Sequence, residues 1–256
     1  MGIKIAHFGS RPLSREILCV MHQNPNVEIA AVVTYDSIDD KWWNSSLRDK
    51  AREFGYDVIH ESDIFVYDID YIISTLYFNK LPSSILNHPL IGCINLHQAE
   101  LPRYRGSNAF SHAIMNARDD NHWEYGTTLH YMNEKLDQGD IIARRFIQIE
   151  KNDSALSLYK KVEKESISLF SSLLPKLISG EVENMRTPQT EFDGKRYFYT
   201  KDSLRKIKFI PIDKICNPEL QKENYDIIRA LYFPPHKPAY TEIRGEKIYL
   251  TPSYEN

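Results

Sequence analysis

The chain of 256 residues has few cysteines, no long apolar run and no strong excess of either charge. Its three cysteines, Cys19, Cys93 and Cys216, lie far apart in apolar surroundings, which argues against a disulfide framework or a paired-cysteine zinc site. No stretch approaches the roughly twenty apolar residues that span a bilayer, and the first residues lack the apolar segment of a signal peptide. We therefore expect a cytoplasmic protein without a membrane partner.

The distribution of charge likewise favours no nucleic-acid partner. The net charge of -3 gives no basic footprint, and we interpret the local cluster of Lys201, Arg205, Lys206 and Lys208 as a solvated face. The histidines and acids show neither HExxH nor paired-cysteine spacing, and we interpret His122 and His130 as structural. The sequence therefore predicts no metal site.

Short apolar runs alternate with helical patterns in the first hundred residues. The strand-like runs cover residues 3–8, 27–34, 58–59, 71–75 and 91–96, and the helical patterns cover 11–22, 42–54 and a segment starting near 81–86. Strands that are apolar on both faces and alternate with helices predict a mainly parallel sheet covered on both sides. Only Gly9 follows the first strand, so the dinucleotide fingerprint is missing and we do not expect a nicotinamide cofactor.

A change of composition near Gly180 divides the chain into two predicted domains. Before it, alternating strands are predicted at 126–132 and 141–149, followed by a helix that stops by Gly180. Asp153 or Ser154 could cap this helix, and Pro175 either kinks it or ends it early. Residues 1–180 would form the main α/β domain. Residues 181–256 would form a small, mostly β domain.

The central stretch from residue 93 to 142 carries the groups of an acyl-transfer site. Asn95 and His97 alternate at the end of a predicted strand, so their side chains would face the same side, and Asp137 occupies a turn between two strands. An amide can donate to a developing oxyanion, an imidazole can act as base or donor near neutral pH, and a carboxylate can take up a proton. Together they predict an acyl-transfer site.

Four ordered motifs in this region resemble the folate-dependent formyltransferases. They are Asn95-Leu96-His97, Leu101-Pro102-Arg103-Tyr104-Arg105-Gly106, Gly126-Thr127-Thr128 and Leu136-Asp137-Gln138-Gly139-Asp140-Ile141, and the resemblance covers residue 3 to about residue 178. It implies a Rossmann-like formyltransferase domain in which Asn95, His97 and Asp137 are catalytic, while Asp140 shapes the turn. Many family members have Pro-Ser after the histidine, whereas this chain has Gln98-Ala99-Glu100.

The resemblance also implies 10-formyltetrahydrofolate as formyl donor and direct transfer without a metal. By position, its pteridine would lie between residues 77–81 and 132–136. The side chains concerned are equally consistent with core packing: Tyr77, Phe78, Leu81, Met132 and Leu136.

The tail predicts the acceptor. Residues 229–240 join a helix end to a proline-rich loop with aromatics and cations, which could dock the tail or stack on a nucleotide. The length and this loop resemble the sugar N-formyltransferases. This implies a dTDP- or GDP-linked amino-dideoxy sugar, with dTDP-4-amino-4,6-dideoxyglucose as the best guess, for lipopolysaccharide O-antigen or another surface polysaccharide. The predicted substrate contacts are Ser10, Arg11, Lys80, Arg105, Arg229, Tyr232, Phe233 and His236.

Two other functions stay open at this point. One is methionyl-tRNA formylation, which the net charge and the short tail disfavour. The other is a non-catalytic module that binds a nucleotide sugar or folate. Related sugar enzymes pair through their C-terminal regions, which implies a homodimer, although the aromatics of the tail could also pack within one chain.

Overall fold

The computed structural model describes residues 2–35 and 46–253. No helix among these residues is long and apolar enough to cross a membrane. The elements in chain order are β1 (Ile3–Gly9), α1 (Arg11–His22), β2 (Val27–Val33), α2 (Leu47–Glu53), β3 (Val58–Ile59), β4 (Tyr71–Thr75), α3 (Ser83–Leu86), β5 (Gly92–His97), β6 (Tyr104–Gly106), α4 (Ala109–Asn116), β7 (Glu124–Tyr131), β8 (Ile141–Gln148), α5 (Ala155–Ser179), β9 (Tyr197–Tyr199), α6 (Ile212–Ile215), α7 (Gln221–Ala230), β10 (Ala239–Ile243) and β11 (Glu246–Leu250).

A seven-stranded sheet forms the centre of the fold in the order β3-β2-β1-β4-β5-β7-β8. The strands from β3 to β5 are parallel, and β7 and β8 extend the sheet in antiparallel fashion. All five residues of β4 are buried, as expected for a strand between two helical layers. The predicted mainly parallel α/β fold is thus confirmed.

Parallel pairing brings the carboxyl ends of β1, β4 and β5 to one edge of the sheet. In the register, Gly9 is opposite Thr75 and Thr75 is opposite Leu96. The loops that follow these strands therefore open on the same side, where ligands bind in open α/β sheets. The antiparallel strand β7 passes beside β5, and Asn95 is opposite His130.

The long helix α5 resolves two alternatives left open by the sequence. Ser154 is its N-cap, and its Oγ accepts a hydrogen bond from the Ser157 N–H while the Ser157 hydroxyl accepts one from the N–H of Ser154. Pro175 lies inside the helix, which continues to Ser179 and ends at Gly180 with a φ of 78°. Farther upstream, the predicted helix at 42–54 is observed as α2 from Leu47, and its first residues lie outside the described part of the chain.

The chain after Gly180 returns to the main body at several points. Thr187 bridges to Ile141, and β9 pairs in parallel with β6. The region contains the antiparallel hairpin of β10 and β11 and also the ten-residue helix α7, so helix accompanies the predicted strands. The domain boundary near Gly180 stays a prediction, but these contacts bring the tail against the loops after β5.

Candidate active site

Asn95 is oriented by a buried histidine on the neighbouring strand. Its Nδ2 lies 3.2 Å from Nε2 of His130, whose Nδ1 lies 2.7 Å from the Tyr131 carbonyl oxygen. Burial lowers the pKa of His130 to about 4, so the ring is neutral near pH 7. Because Nδ1–H donates to the carbonyl, Nε2 accepts one hydrogen from the Asn95 amide. The second amide hydrogen remains available for a ligand.

His97 is held through one ring nitrogen and presents the other. Its Nε2 lies 3.0 Å from the carbonyl oxygen of Tyr104, which requires Nε2 to be the donor. Its Nδ1 lies 3.9 Å from Oδ1 of Asp137, a separation longer than a direct hydrogen bond. The Nδ1 lone pair therefore faces the space beside the carboxylate.

Asp137 stands at a turn that backbone and side-chain contacts fix. Its φ is 53°, and its Oδ2 accepts a 2.8 Å hydrogen bond from the Gly106 N–H. Nε2 of Gln189 donates to the carbonyl oxygens of Asp137 and Gly139 at 2.9 and 2.8 Å. A side chain at position 139 would collide with the Tyr131 carbonyl, which explains the glycine in this motif.

Hydroxyl groups on β7 fix the loop that follows His97. Thr127 donates to the His97 carbonyl at 3.1 Å, Tyr125 to that of Gln98 at 2.6 Å, and Thr128 to that of Ala99 at 2.8 Å. Three successive carbonyl groups are thus bonded to one strand. The Gly-Thr-Thr motif acts here by supporting the catalytic loop from behind.

A first cavity of about 470 Å³ opens beside Asn95 and Asp137. It brings together four of the five residues predicted to bind folate, namely Tyr77, Leu81, Met132 and Leu136. The fifth, Phe78, is a correction: it lines the opposite cavities, where the Arg11 guanidinium lies 4.6 Å from its ring centre. Lys80 was predicted to contact the acceptor substrate, but it lines the first cavity.

A second cavity of about 1060 Å³ begins at the same residues on the other side. It contains Asn95, His97 and Asp137 and extends past Phe198 and Tyr199 of β9. It continues into a basic cavity of about 1380 Å³. The residues that line both cavities are Leu76, Phe78, Gln98, Phe110 and Lys201. Asn95 and Asp137 therefore line both the first cavity and the long cavity formed by these two parts, which is named the acceptor cavity after the predicted substrate.

Cations surround the basic cavity. Its lining includes Arg11, Lys201, Arg205, Lys208, His236 and Lys237, with Asp202 as the one acidic residue in that lining. Tyr159 and Phe233 add aromatic surface, with ring centres 5.4 Å apart. In the cluster predicted to be a solvated face, Lys201, Arg205 and Lys206 are exposed. Lys201, Arg205 and Lys208 also line this cavity, whereas Lys206 lines a separate groove.

The side chains of Ser10, Arg105 and Arg229 form hydrogen bonds with other groups of the same chain. The Ser10 hydroxyl donates to the Leu76 carbonyl at 2.6 Å and does not cap α1. Arg105 donates to Oε1 of Gln189 at 2.7 Å. Arg229 has no exposed surface and donates to Asp226 and to the carbonyls of Glu150 and Asp153 at 2.9, 3.2 and 2.8 Å. Its predicted contact with a nucleotide is therefore corrected to a role in joining α7 to the start of α5.

The remaining predicted substrate contacts differ in whether they line the basic cavity. Phe233 and His236 line the basic cavity, as does Arg11. Tyr232 is not part of that lining; its carbonyl accepts from the Leu156 N–H at 3.2 Å. The loop thus both docks the tail and contributes to the cavity.

His130 and Gln189 are the functional residues that sequence reasoning missed. His130 was interpreted as structural, and its importance follows from a strand register that places it opposite Asn95. Gln189 lies 52 residues from Asp137 in sequence, and no local pattern signals their contact. Among the residues described, no three His, Cys, Asp or Glu side chains gather as a metal site would require.

Comparison with known proteins identifies the family. The model of the Formyl transferase family matches residues 5–174, which is more than half of the chain. The chain belongs to this formyl transferase family. It is 30% identical over 190 residues to GDP-perosamine N-formyltransferase of Brucella melitensis, covering 74% of this chain and 66% of that protein. Methionyl-tRNA formyltransferase of Bacillus licheniformis is also 30% identical, covering 72% of this chain and 54% of that protein.

Solved structures share the fold over nearly the whole chain. A 4-N formyltransferase from Francisella tularensis has a TM-score of 0.77 at 19% identity, covering 99% of this chain and 98% of its own. The N-formyltransferase of Helicobacter canadensis in complex with folinic acid and dTDP-3-aminofucose has a TM-score of 0.73 at 21% identity, covering 96% and 86%. At such identities the likeness concerns the fold. The chain spans 66% of the length of the Brucella protein and 54% of the length of the Bacillus protein.

Proposed function

We propose that this formyltransferase moves the formyl group of 10-formyltetrahydrofolate to the amine of a nucleotide-linked amino-dideoxy sugar. The observation that carries the proposal is that two unlike cavities meet at Asn95 and Asp137. Only the acceptor side continues into a cavity surrounded by cations. A two-substrate transfer needs such an arrangement, because both reactants must reach the same catalytic groups.

The first cavity suits a folate donor. Its lining combines the apolar Leu81, Met132 and Leu136 with a few polar groups, as small-molecule sites do. Tyr77 is fixed there by its hydroxyl, which donates to Glu61 at 2.5 Å. A bound folate supplies the activated formyl group at this site. The Helicobacter neighbour, solved with folinic acid, supports the same choice of donor.

The catalytic residues then have separate tasks. Asn95 directs its second amide hydrogen at the oxygen on which negative charge develops, and His130 keeps that amide oriented. His97 offers Nδ1 as base or, once protonated, as a donor, beside the Asp137 carboxylate. Asp137 receives the proton that the attacking amine loses and returns it to the folate nitrogen as the bond between that nitrogen and the formyl carbon breaks. Nδ1 of His97 and Nε2 of His130 each lie 3.9 Å from Oδ1 of Asp137, so neither ring is hydrogen-bonded directly to that oxygen.

The acceptor cavity supports a nucleotide-linked substrate. Five cationic side chains along its lining suit the negative charge of a diphosphate, and the rings of Tyr159 and Phe233 offer apolar faces for a base. The Brucella relative is named for a GDP-linked amino sugar and the Helicobacter neighbour was solved with a dTDP-linked one, which supports this substrate class. We keep dTDP-4-amino-4,6-dideoxyglucose as the specific acceptor, with surface polysaccharide synthesis as its purpose.

Methionyl-tRNA formylation is the second candidate, because the Bacillus enzymes of that name match at the same identity as the Brucella protein. Against it, these cations gather around a single cavity, which suits a small diphosphate. An extended phosphate backbone would need a basic face, and the chain as a whole carries a net charge of -3.

A substrate panel tests the proposal. The purified protein would receive 10-formyltetrahydrofolate with dTDP- and GDP-linked 3- and 4-amino sugars or charged initiator tRNA, and formylated product would be measured. We expect turnover with a nucleotide sugar and none with tRNA. Turnover with tRNA alone would replace the proposal, and nucleotide-sugar binding without turnover would indicate a non-catalytic module.

The homodimer remains a prediction, and the C-terminal tail is its predicted interface. Ile243, Ile248 and Tyr249 of the hairpin β10–β11 are 44–45% exposed in the single chain. We expect light scattering to give twice the 29.9 kDa mass of one chain at micromolar concentration. A monomer mass there would contradict it.

A further inference from the structure

Gln98 is a buried side chain without a hydrogen-bond partner. It is only 4% exposed, and neither its Oε1 nor its Nε2 meets a donor or acceptor among the described residues. Leaving an amide buried in this way costs free energy that a well-packed apolar side chain would not. Such a group in a native protein calls for an explanation, and a bound ligand is one of the few available.

The position of Gln98 indicates the ligand. It directly follows His97 and lines the acceptor cavity where the part containing the catalytic residues joins the basic part. Its backbone is fixed, because the Tyr125 hydroxyl donates to its carbonyl at 2.6 Å and the carbonyls on both sides are held in the same way. The backbone of Gln98 is therefore held rigidly at this junction.

We propose that Gln98 is a specificity-determining residue that binds the acceptor sugar. The inference rests on the proposed function. With the amine at Asn95 and Asp137 and the diphosphate among the cations, the sugar ring and its linkage to phosphate pass the junction. Oε1 accepts a hydrogen from a ring hydroxyl, and Nε2 donates to an oxygen of the sugar or of the attached phosphate. Both unpaired atoms of Gln98 are then satisfied.

The contact with Gln98 selects among sugars because a sugar without the matching hydroxyl leaves the Gln98 amide unpaired. A sugar that lacks the hydroxyl would leave Oε1 buried without a donor, and sites that hydrogen-bond a hydroxyl reject such analogues strongly. The formyl donor lies in the first cavity, whose lining does not include Gln98. Substitution of Gln98 should therefore affect the acceptor and not folate.

The test compares Gln98→Met, which keeps the approximate size but removes both polar atoms, with the wild type. We expect the KM for the nucleotide sugar to rise about tenfold, the value for one lost hydrogen bond of about 1.4 kcal/mol, while the KM for 10-formyltetrahydrofolate stays within about twofold. Without ligand, the variant should unfold at a temperature about 2–4 °C higher, because an unpaired amide is removed. Gln98→Glu should raise the acceptor KM further through repulsion of the phosphates.

Thr241→Val is the matched control. Thr241 is 3% exposed with an unpaired hydroxyl in β10, and it does not belong to the acceptor cavity. We expect a similar gain in stability with both KM values unchanged. An unchanged acceptor KM in Gln98→Met, or a lower unfolding temperature, overturns the role of Gln98 while wild-type turnover upholds the proposed function. Wild-type protein that formylates no nucleotide sugar overturns both.

Discussion

The two sides of the candidate active site are built from different parts of the chain. The first cavity takes its whole lining from residues 74–137, which lie inside the stretch that matches the family. The basic part of the acceptor cavity draws many of its residues from 201–237, beyond that stretch. The family portion thus contains the groups proposed for the reaction, whereas the tail contributes most of the cations proposed to bind the acceptor's diphosphate.

The two sides also differ in how their polar groups are held. Asp137 and His130 are 9% and 1% exposed, and each has short hydrogen bonds to fixed backbone groups. Lys201 and Arg205 are exposed side chains on long flexible stems. Catalysis requires donors that are already oriented, while attraction of a diphosphate tolerates mobile charges. Substitutions should therefore cost far more on the catalytic side.

The largest effect is expected from Asp137→Asn. The substitution keeps the shape of the side chain but removes the proton acceptor, so kcat for amine formylation should fall about 10³-fold, as for a lost general base. The KM values should change little. Asp140→Asn is the control, because Asp140 lies in the same turn but is half-exposed and 3.5 Å from Arg186. Comparable losses in both variants would contradict the assignment.

Gln189→Leu tests whether the tail also supports the catalytic turn. Gln189 lies outside the family match and donates to the carbonyls of Asp137 and Gly139. Leaving two buried carbonyls unpaired should lower the free energy of unfolding by about 2–3 kcal/mol, and kcat should fall with the loss of a fixed Asp137. Urea unfolding and steady-state kinetics measure the two effects. Gln221→Leu, at an exposed glutamine, should change neither.

Local patterns in the sequence predicted the sheet and the placement of Asn95 and His97 at a strand end. The strands near β1, β2, β4 and β5 follow from apolar runs bounded by polar or glycine residues, and Asn95 and His97 follow from alternation at a strand end. These features depend on neighbours within a few residues. Phe78 and Lys80 were assigned to the wrong sides because the loop after β4 turns within three residues, and a sequence pattern does not give that direction.

Contacts between distant segments explain the other differences. Arg229 looked like a cation for phosphate, but the carbonyl groups that it binds are 76 and 79 residues away. The cations Lys201, Arg205 and Lys206 are exposed, as predicted, but nothing near them in sequence indicates that part of this cluster also lines a cavity. In both cases the charge was evident, and only the fold determined which groups it meets.

Lowering the pH should reduce stability through the buried catalytic side of the site before it affects the exposed acceptor side. The pKa of His130 is lowered to about 4 by burial, against an ordinary value of about 6.5, so the unfolded chain takes up its proton first as pH falls. The contribution to stability is complete above about pH 6.5 and is lost progressively down to about pH 4. Between pH 7 and 5 the wild type should lose about 2 kcal/mol more than His130→Gln in urea unfolding. Equal losses would contradict a neutral His130.

The smallest effect is expected at the exposed cations, where Lys201→Gln and Lys206→Gln form a matched pair. Lys201 lines the acceptor cavity, and its Nζ lies 5.6 Å from the Phe78 ring centre, whereas Lys206 lines a different groove. The first substitution should raise the KM for the nucleotide sugar about fivefold at low salt, since an exposed charge contributes roughly 1 kcal/mol. The increase should shrink near 1 M salt, where screening acts within about 3 Å. Lys206→Gln should leave the KM unchanged, and an equal rise in both variants would mean that general surface charge, and not the cavity, attracts the acceptor.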